Sequence, residues 1–180
     1  MARKRKTLPK DFDKMLSSAP LEELIAVFDR CEIDARGGFT KSTALGFRDC
    51  PDELIIWLVE QGLDVDSLDA RGNTALIERA GSATVKHVSQ NPLLLSLGAD
   101  IEAVTGLGRT PFQHAVIELR ADAARVLAEH GAKVSGDRWG PEKLLETALA
   151  RVENFTIEAG ADIARLLLSL GAPITDSMRG

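Results

Sequence analysis

The chain has 180 residues and a net charge of -5, and 44% of its residues are hydrophobic but only 4% are aromatic. A core of leucine, alanine, isoleucine and valine suits closely stacked helices better than a β-sandwich. The acidic balance argues against nucleic acid as the main partner. No apolar run reaches the roughly 18 residues that a membrane-spanning helix needs, and none follows the basic start. We therefore predict no membrane segment, no secretory signal and a cytoplasmic location.

Residues 1–10 predict a flexible basic arm, because a run of cations from Arg3 to Lys6 is followed by Pro9. A solvated terminal segment is the simpler interpretation of this arm, and nucleic-acid binding is the alternative. From residue 11 onward the hydrophobic spacing becomes helical. Residues 11–33 therefore predict a helix pair that caps the N-terminal end of a single domain spanning residues 11–180.

A turn sequence, Asp-Ala-Arg-Gly, occurs at residues 34–37 and returns at residues 69–72. Each copy is followed by a stretch that opens at a threonine and by a leucine-rich stretch that closes at a glycine. The later part of the chain keeps this order of threonine, apolar stretch and glycine. The pattern predicts successive units of one turn and two antiparallel helices, at residues 34–66, 67–102, 103–135 and 136–176.

The most complete unit lies between Gly106 and Val134. Thr110 can cap the first helix, and Pro111 at the first helical position loses no hydrogen bond, because that N–H would be unpaired anyway. Gly131 can end the second helix in a left-handed conformation at little steric cost. Two such short helices cannot bury both of their faces alone, so we expect neighbouring copies to stack against them.

This unit resembles an ankyrin repeat, which is a β-turn plus two antiparallel helices with a Thr-Pro-Leu-His-x-Ala signature and a period of about 33 residues. Thr110, Pro111 and Ala115 carry the resemblance most clearly. The resemblance implies an all-α fold, an ankyrin-repeat solenoid of stacked helix-turn-helix units with β-turn or hairpin loops. It covers residues 34–176, with a weaker match in the cap.

The sequence departs from the family signature in two ways. The signature histidine, which supports the turn by hydrogen bonding, is absent, so we expect less rigid turns; its place is taken by Gly46, Ile77 and Gln113. The signature alanine is replaced by Arg48 and Arg79. Either these long side chains reach outward to solvent, or the alignment is off by one position there.

The predicted units also differ in length. The first unit is short, which predicts a shortened turn at residues 49–52 between its two helices. The second unit is longer, and we expect its extra residues in a longer turn at residues 81–91. The last unit carries an insertion near residues 152–159, which we expect to lengthen its helices.

No motif in the sequence indicates catalysis or a cofactor. The glycines at residues 106 and 108 lack the third glycine of a dinucleotide-binding loop, and no Gly-x-Ser-x-Gly elbow occurs. The histidines show no metal-ligand spacing with one another or with Cys31 and Cys50, which we interpret as ordinary buried thiols. We therefore predict a protein that is not an enzyme and that binds no metal and no cofactor.

Stacked repeats form an extended concave surface from their turns and the exposed faces of their first helices, and this surface suits a protein partner. The candidate partner-binding residues in the turns are Arg36, Phe39, Arg71, Asn73, Arg109, Arg138 and Trp139. Those on the first helices are Phe47, Arg79, Gln113 and Ile117. Tryptophan and arginine often dominate interface energy, although Trp139 has the alternative of folding onto the adjacent turn. The turn arginines together predict a positive edge that attracts an acidic partner.

These observations predict a monomeric, non-enzymatic protein–protein interaction module. The resemblance to free-standing bacterial ankyrin proteins implies an immunity or antitoxin partner that blocks the active site of a toxin. The alternative is an adaptor or a secreted effector that mimics eukaryotic ankyrin proteins.

Overall fold

The computed structural model describes residues 3–134, 139–154 and 157–175. These ranges contain nine α-helices, one short 3-10 helix and a two-stranded sheet. In chain order they are β1 Arg5–Thr7, α1 Phe12–Ser18, α2 Leu21–Arg30, β2 Cys31–Arg36, the 3-10 helix η1 Ala44–Gly46, α3 Asp52–Glu60, α4 Ala75–Ala80, α5 Val85–Ser96, α6 Pro111–Ile117, α7 Ala121–Glu129, α8 Pro141–Asn154 and α9 Ile157–Ser169. The fold is mostly helical, as predicted, but an all-α class omits the small sheet.

The helices pack in two layers. Along the chain, α4 pairs with α5, α6 with α7, and α8 with α9. In the first layer α4 contacts α6 and α6 contacts α8, while in the second layer α5 contacts α7 and α7 contacts α9. The core lies between these layers and includes the buried side chains of Leu76, Leu94, Phe112, Leu127, Leu144 and Leu167. Each pair therefore covers apolar surface that its neighbour cannot cover alone.

Helices α3, α5, α7 and α9 end in the same way. A glycine with positive φ follows each of them, with values of 91° at Gly62, 94° at Gly98, 91° at Gly131 and 85° at Gly171. The N–H of the residue after each glycine donates to a carbonyl of the last helical turn, at 2.9–3.0 Å. Glycine adopts this left-handed geometry without the steric cost that a Cβ brings, so the prediction for Gly131 is confirmed.

The loops that precede the first-layer helices are called tips here: tip 1 is residues 37–42, tip 2 is residues 69–73 and tip 3 is residues 105–109. Tips 2 and 3 form the same kind of turn. The carboxylate of Asp69 accepts from two backbone N–H groups of tip 2, at 2.8 and 2.9 Å. The hydroxyl of Thr105 accepts from the equivalent pair in tip 3, both at 3.1 Å. These side chains hold the two turns without the signature histidine.

Neighbouring tips also contact each other. The backbone N–H of Ala70 in tip 2 donates to the carbonyl of Thr40 in tip 1, at 2.8 Å. Between tips 2 and 3, a Cβ on Gly72 would lie only 3.5 Å from the backbone nitrogen of Gly106. The three tips therefore form a row of closely packed backbone, and we expect each one to be held in place by its neighbour.

Within the arm predicted for residues 1–10, the described residues 3–10 do not form a flexible segment. Strand β1 pairs in parallel with β2, and the N–H of Leu8 continues the pairing by donating to the carbonyl of Arg36, at 3.0 Å. The Leu8 side chain is buried. Lys4 donates to the carbonyl of Phe28 at 2.6 Å, at the end of α2, where a cation is favourable. Helices α1 and α2 both lie within the predicted cap at residues 11–33.

The first predicted unit lacks a full first helix, so the prediction of a shortened turn at residues 49–52 is wrong. The chain forms only the 3-10 helix η1 before α3 begins at Asp52, with Pro51 at the N-cap position. Two local features account for this. Thr43 makes no side-chain capping bond, and Gly46 stands where a helix needs a better helix former.

Side chains of the next helix pair replace the missing helical hydrogen bonds. Four consecutive carbonyls, at residues 47–50, accept from Arg79 (3.5 Å), His87 (2.9 Å), Lys86 (3.2 Å) and Gln90 (3.0 Å) respectively. Unpaired carbonyls are costly where water is excluded, which explains the contacts of the buried side chains of Arg79, His87 and Gln90. The Lys86 contact is exposed, and the Phe47 carbonyl also accepts from the N–H of Cys50 at 3.3 Å. Arg79 is only 2% exposed, so the expectation that it reaches outward is wrong.

Length differences between the other predicted units are absorbed by helices. The extra residues of the second unit extend α5, which has 12 residues, so the prediction of a longer turn at residues 81–91 is wrong. In the last unit α8 has 14 residues and α9 has 13, which confirms the expected lengthening.

Candidate interaction surface

Arg36 and Arg71 both have local partners, which changes the predicted positive edge. Arg36, at the end of β2, donates to the backbone carbonyls of Lys41 and Leu68. Arg71 lies between two carboxylates, at 3.2 Å from Asp69 and 2.8 Å from Glu78. Its positive charge is therefore largely compensated, and the continuous positive edge is not present as predicted. Arg138 lies outside the described residues.

Trp139 follows the alternative interpretation, because it folds onto the neighbouring tip. The guanidinium of Arg109 lies over its ring, 5.3 Å from the centroid, and the ring packs against the core. Such a cation–π contact is worth about 0.5–1 kcal/mol at an exposed site. Trp139 is half-buried in this arrangement, so part of its surface is already used within the chain.

Three predicted contact residues are buried, and the prediction that a partner touches them directly is wrong. Arg79, Gln113 and Ile117 are 2%, 1% and 5% exposed. Arg79 serves the backbone of residues 47–50, as described above. Gln113 completes a capping box in which its side-chain oxygen accepts from the N–H of Thr110 at 3.1 Å. Ile117 belongs to the apolar face of α6.

Two other predicted residues are half-buried. Phe47 packs edge-to-face on Phe12, with ring centroids 5.3 Å apart. Asn73 donates from its side chain to Glu78 at 2.6 Å. Both side chains keep part of their surface open, but their main contacts are within the chain.

Large apolar side chains are exposed on the tips. Phe39 in tip 1 is 100% exposed and Leu107 in tip 3 is 65% exposed. Leu68, just before tip 2, and Val104, just before tip 3, are also exposed. Exposed apolar side chains therefore lie on tips 1 and 3 and just before tips 2 and 3, and Phe39 is one that the sequence predicts as a contact residue.

A polar recess of about 310 Å³ opens next to the tips, where η1 replaces a full helix. We call it the recess. It lies between residues 46–48 and α6, over α4. Three arginines line it, Arg48, Arg71 and Arg79, against two glutamates, Glu78 and Glu118. The lining also contains Ser82, His87 and His114. The sequence signal for it was the short spacing from Thr43 to Pro51, together with arginine at the signature alanine position.

The two histidines of the recess are held in the neutral form. His87 donates from Nε2 to the carbonyl of Arg48 at 2.9 Å, so its Nδ1 accepts from the Ser82 hydroxyl at 2.6 Å. Burial lowers the pKa of His87, and the positive charges of Arg79 and Arg48 lower it further. Burial also lowers the pKa of His114, whose ring packs closely on Gly81. The positive charge of the recess therefore comes from its arginines.

A second, larger groove of about 800 Å³ is acidic. Asp34, Asp64, Asp66 and Asp100 line it, with Arg36. Burial raises the pKa of Asp66, and so do the charges of Asp100 and Asp64, although a hydrogen bond from the Asp100 N–H opposes them. The recess is therefore lined by three arginines and no aspartate, whereas the groove is lined by four aspartates and one arginine.

Several other features bear on function. In residues 3–134, 139–154 and 157–175, no His, Cys, Asp and Glu side chains form a group of three that could hold a metal ion. Across the same ranges, no helix combines the length and the apolar composition needed to cross a membrane. Cys31 and Cys50 are buried free thiols, as predicted, and burial raises the pKa of Cys50 to about 12. That thiol stays protonated and unreactive at neutral pH.

No protein-family model matches the sequence, and a search of the curated proteins finds no match either. The assignment of a function therefore depends on the residues and the geometry described above.

Proposed function

We propose that the chain is an ankyrin-repeat solenoid that binds a partner protein through its tips and the adjoining face of the first-layer helices. The repeated ends of α3, α5, α7 and α9 support the repeat interpretation, as does the turn shared by tips 2 and 3. The capping box at Thr110, followed by Pro111, supports it further. We propose that the protein acts as a monomer and without catalysis.

One observation carries the proposal of partner binding: the exposed apolar side chains lie on tips that are already ordered. Phe39 is fully exposed, yet its neighbour Thr40 is hydrogen-bonded to tip 2. A preorganised loop loses little conformational entropy when a partner binds. Aromatic side chains on such a surface are frequent anchors of binding energy. The tips therefore offer Phe39 and Leu107 to a partner at low ordering cost.

The Ser82–His87 hydrogen bond is the arrangement that a catalytic proposal would use. Two features argue for a structural role instead. The Ser82 oxygen already accepts from the N–H of Thr84 at 3.3 Å, which orders the turn before α5. The lowered pKa of His87 makes its imidazole a weaker base. We therefore assign this pair to fold stability rather than to catalysis.

The experiment is affinity capture from the native lysate with the wild-type chain and with the double variant Phe39→Ser, Leu107→Ser. The matched control is Val85→Ser, which also removes an exposed apolar side chain. Val85 is 85% exposed and is the first residue of α5, at the end of the helix pair away from the tips. Circular dichroism confirms that all three chains fold. The proposal predicts one partner that the wild type and the control retain and that the tip variant binds at least about tenfold more weakly. Equal capture by all three chains would remove the tips from the interface.

The immunity and adaptor roles predict different behaviour of a captured partner. We propose the immunity role, in which adding the chain abolishes the activity of the partner. An adaptor or effector would leave that activity unchanged while joining the partner to a further protein. A titration of partner activity with the purified chain separates the two.

A further inference from the structure

The recess is a fixed feature of the fold. Its wall at residues 46–48 begins at the last residue of η1. The carbonyls of residues 47–50 are held by side chains from α4 and α5. The Gln90 side chain links this wall to Arg79 by accepting from the Arg79 Nε at 2.7 Å. A ligand that enters the recess therefore meets an arrangement that is already formed.

The positive groups of the recess are unequally compensated. Arg71 and Glu78 form an ion pair at 2.8 Å and largely neutralise each other. Arg48 is exposed, and its guanidinium has no hydrogen bond or ion pair within the described part of the chain. Arg79 is buried, and the hydrogen bonds described for it all go to uncharged acceptors: the Gln90 amide and two backbone carbonyls. The lining therefore holds three arginines against two glutamates, while the negative charges of Asp52 and Glu78 also act on Arg79.

The size of the recess limits what it can hold. About 310 Å³ is at the lower end of the range of roughly 300–1,000 Å³ that small-molecule sites occupy. One side chain of a partner fits this space better than a larger ligand does. The recess also adjoins tip 2 through Arg71 and Asn73, so a side chain inserted here can belong to a partner already seated on the tips.

We propose that the recess receives an acidic side chain, Glu or Asp, of the partner protein, with Arg48 as its direct contact and Arg79 supplying positive potential from beneath. This inference rests on the proposed function and names the chemistry of the partner surface. A charged group in such a concave site gains from electrostatic complementarity mainly in specificity and in association rate. The neutral ring of His114, whose Nδ1 has no partner among the described residues, adds a polar edge to the site.

The test uses fluorescent glutamate homopeptide as the probe, with glutamine and lysine homopeptides of the same length as references. Binding is followed by fluorescence anisotropy at low salt and at physiological salt. Arg48→Gln removes the proposed contact. Arg125→Gln on α7 is the matched control, because it removes the same charge from an exposed position in the second layer. We expect the glutamate peptide to bind better than both references, and Arg48→Gln to weaken it about fivefold while Arg125→Gln leaves it unchanged.

Two outcomes overturn this inference. The first is that the glutamate peptide binds no better than the glutamine peptide. The second is that both arginine variants weaken the binding of the glutamate peptide equally, which is the behaviour of unspecific charge attraction. Side-chain NMR locates the contact independently: the Arg48 Nε–H resonance must shift on titration, and an unshifted resonance contradicts the proposal. If the partner captured through Phe39 and Leu107 binds Arg48→Gln as tightly as the wild type, this inference fails while the proposed function stands.

Discussion

Two adjacent buried amides on α5, Gln90 and Asn91, should respond to substitution in opposite directions. Both are 0% exposed. Gln90 accepts from Arg79 at 2.7 Å and donates to the Cys50 carbonyl at 3.0 Å and to the Asp52 carboxylate at 2.6 Å. Both side-chain amide atoms of Asn91 have no hydrogen-bond partner among the described residues. The perturbations are Gln90→Met and Asn91→Leu, which keep the approximate shape of each side chain.

The magnitudes follow from these contacts. Two of the three Gln90 bonds involve a charged group, and such bonds contribute about 1.5–3 kcal/mol each, while the neutral bond contributes about 1 kcal/mol. The losses overlap because the groups share one network, so we expect Gln90→Met to lower the free energy of unfolding by about 3–4 kcal/mol. An unpaired buried amide costs about 1–3 kcal/mol. Asn91→Leu should therefore raise the free energy of unfolding, by about 1 kcal/mol.

The assay is urea unfolding followed by circular dichroism, with the slope of free energy against urea compared between variants. An unchanged slope shows that the effect is on stability rather than on the compactness of either state. The reasoning is refuted if Gln90→Met lowers the free energy of unfolding by no more than Asn91→Leu does. A loss of more than about 1 kcal/mol in Asn91→Leu would show that this amide has a hydrogen-bond partner, such as a buried water.

Three further predictions concern single positions. Gly131→Ala should lower the free energy of unfolding, measured by urea unfolding, by about 1 kcal/mol. The φ of Gly131 is 91° and an added Cβ would meet no atom within 4 Å, so backbone strain alone acts. An unchanged free energy of unfolding would contradict the left-handed end of α7. Lys41→Gly should raise the melting temperature and the free energy of unfolding, the latter by about 0.5–1 kcal/mol, because Lys41 has a φ of 52°. The exposed control Lys133→Gly should show no such increase. The contribution of the two histidines to the free energy of unfolding should be fully present above pH 6.5 and should fall as the pH drops below it. The reason is that burial lowers the pKa of His87 and His114 in the folded chain, so the unfolded chain takes up the proton first. His114→Gln should reduce this fall, and an identical pH profile would exclude His114 as its source.

The parts of the fold that were predicted from sequence depend on local backbone chemistry. Thr110 caps α6 and Pro111 begins it, as their side chains require. Gly131 ends α7 because a positive φ suits glycine. These residues act within a few positions of themselves, so a single sequence is enough to assign them. The exposure of Phe39 was predicted for a similar reason, because the side chain of a residue in a surface turn lies outside the core.

The parts that were missed depend on contacts between units. Arg79 looked like an outward-facing side chain, because the sequence does not show that residues 47–50 lack helical partners for their carbonyls. The arm at residues 1–10 looked flexible for a comparable reason: its cations are visible in the sequence, but the edge of β2 that accepts it is not. The compensation of Arg71 by Asp69 and Glu78 likewise joins a tip to the helix that follows it.

The absence of the helix predicted before α3, where only η1 forms, accounts for both the buried polar network and the recess. Because η1 stands where a longer helix was predicted, the carbonyls of residues 47–50 need donors. Arg79, at the signature alanine position, supplies one of them, and Lys86, His87 and Gln90 on α5 supply the others. The same loss leaves an opening in the first layer beside the tips. A buried arginine with uncharged acceptors then lies beneath that opening and makes it positive, on a chain whose net charge is -5. The side chains that stabilise the backbone of residues 47–50 therefore also form a cationic recess beside tip 2. The proposed interaction surface follows from the way in which this fold satisfies its own backbone.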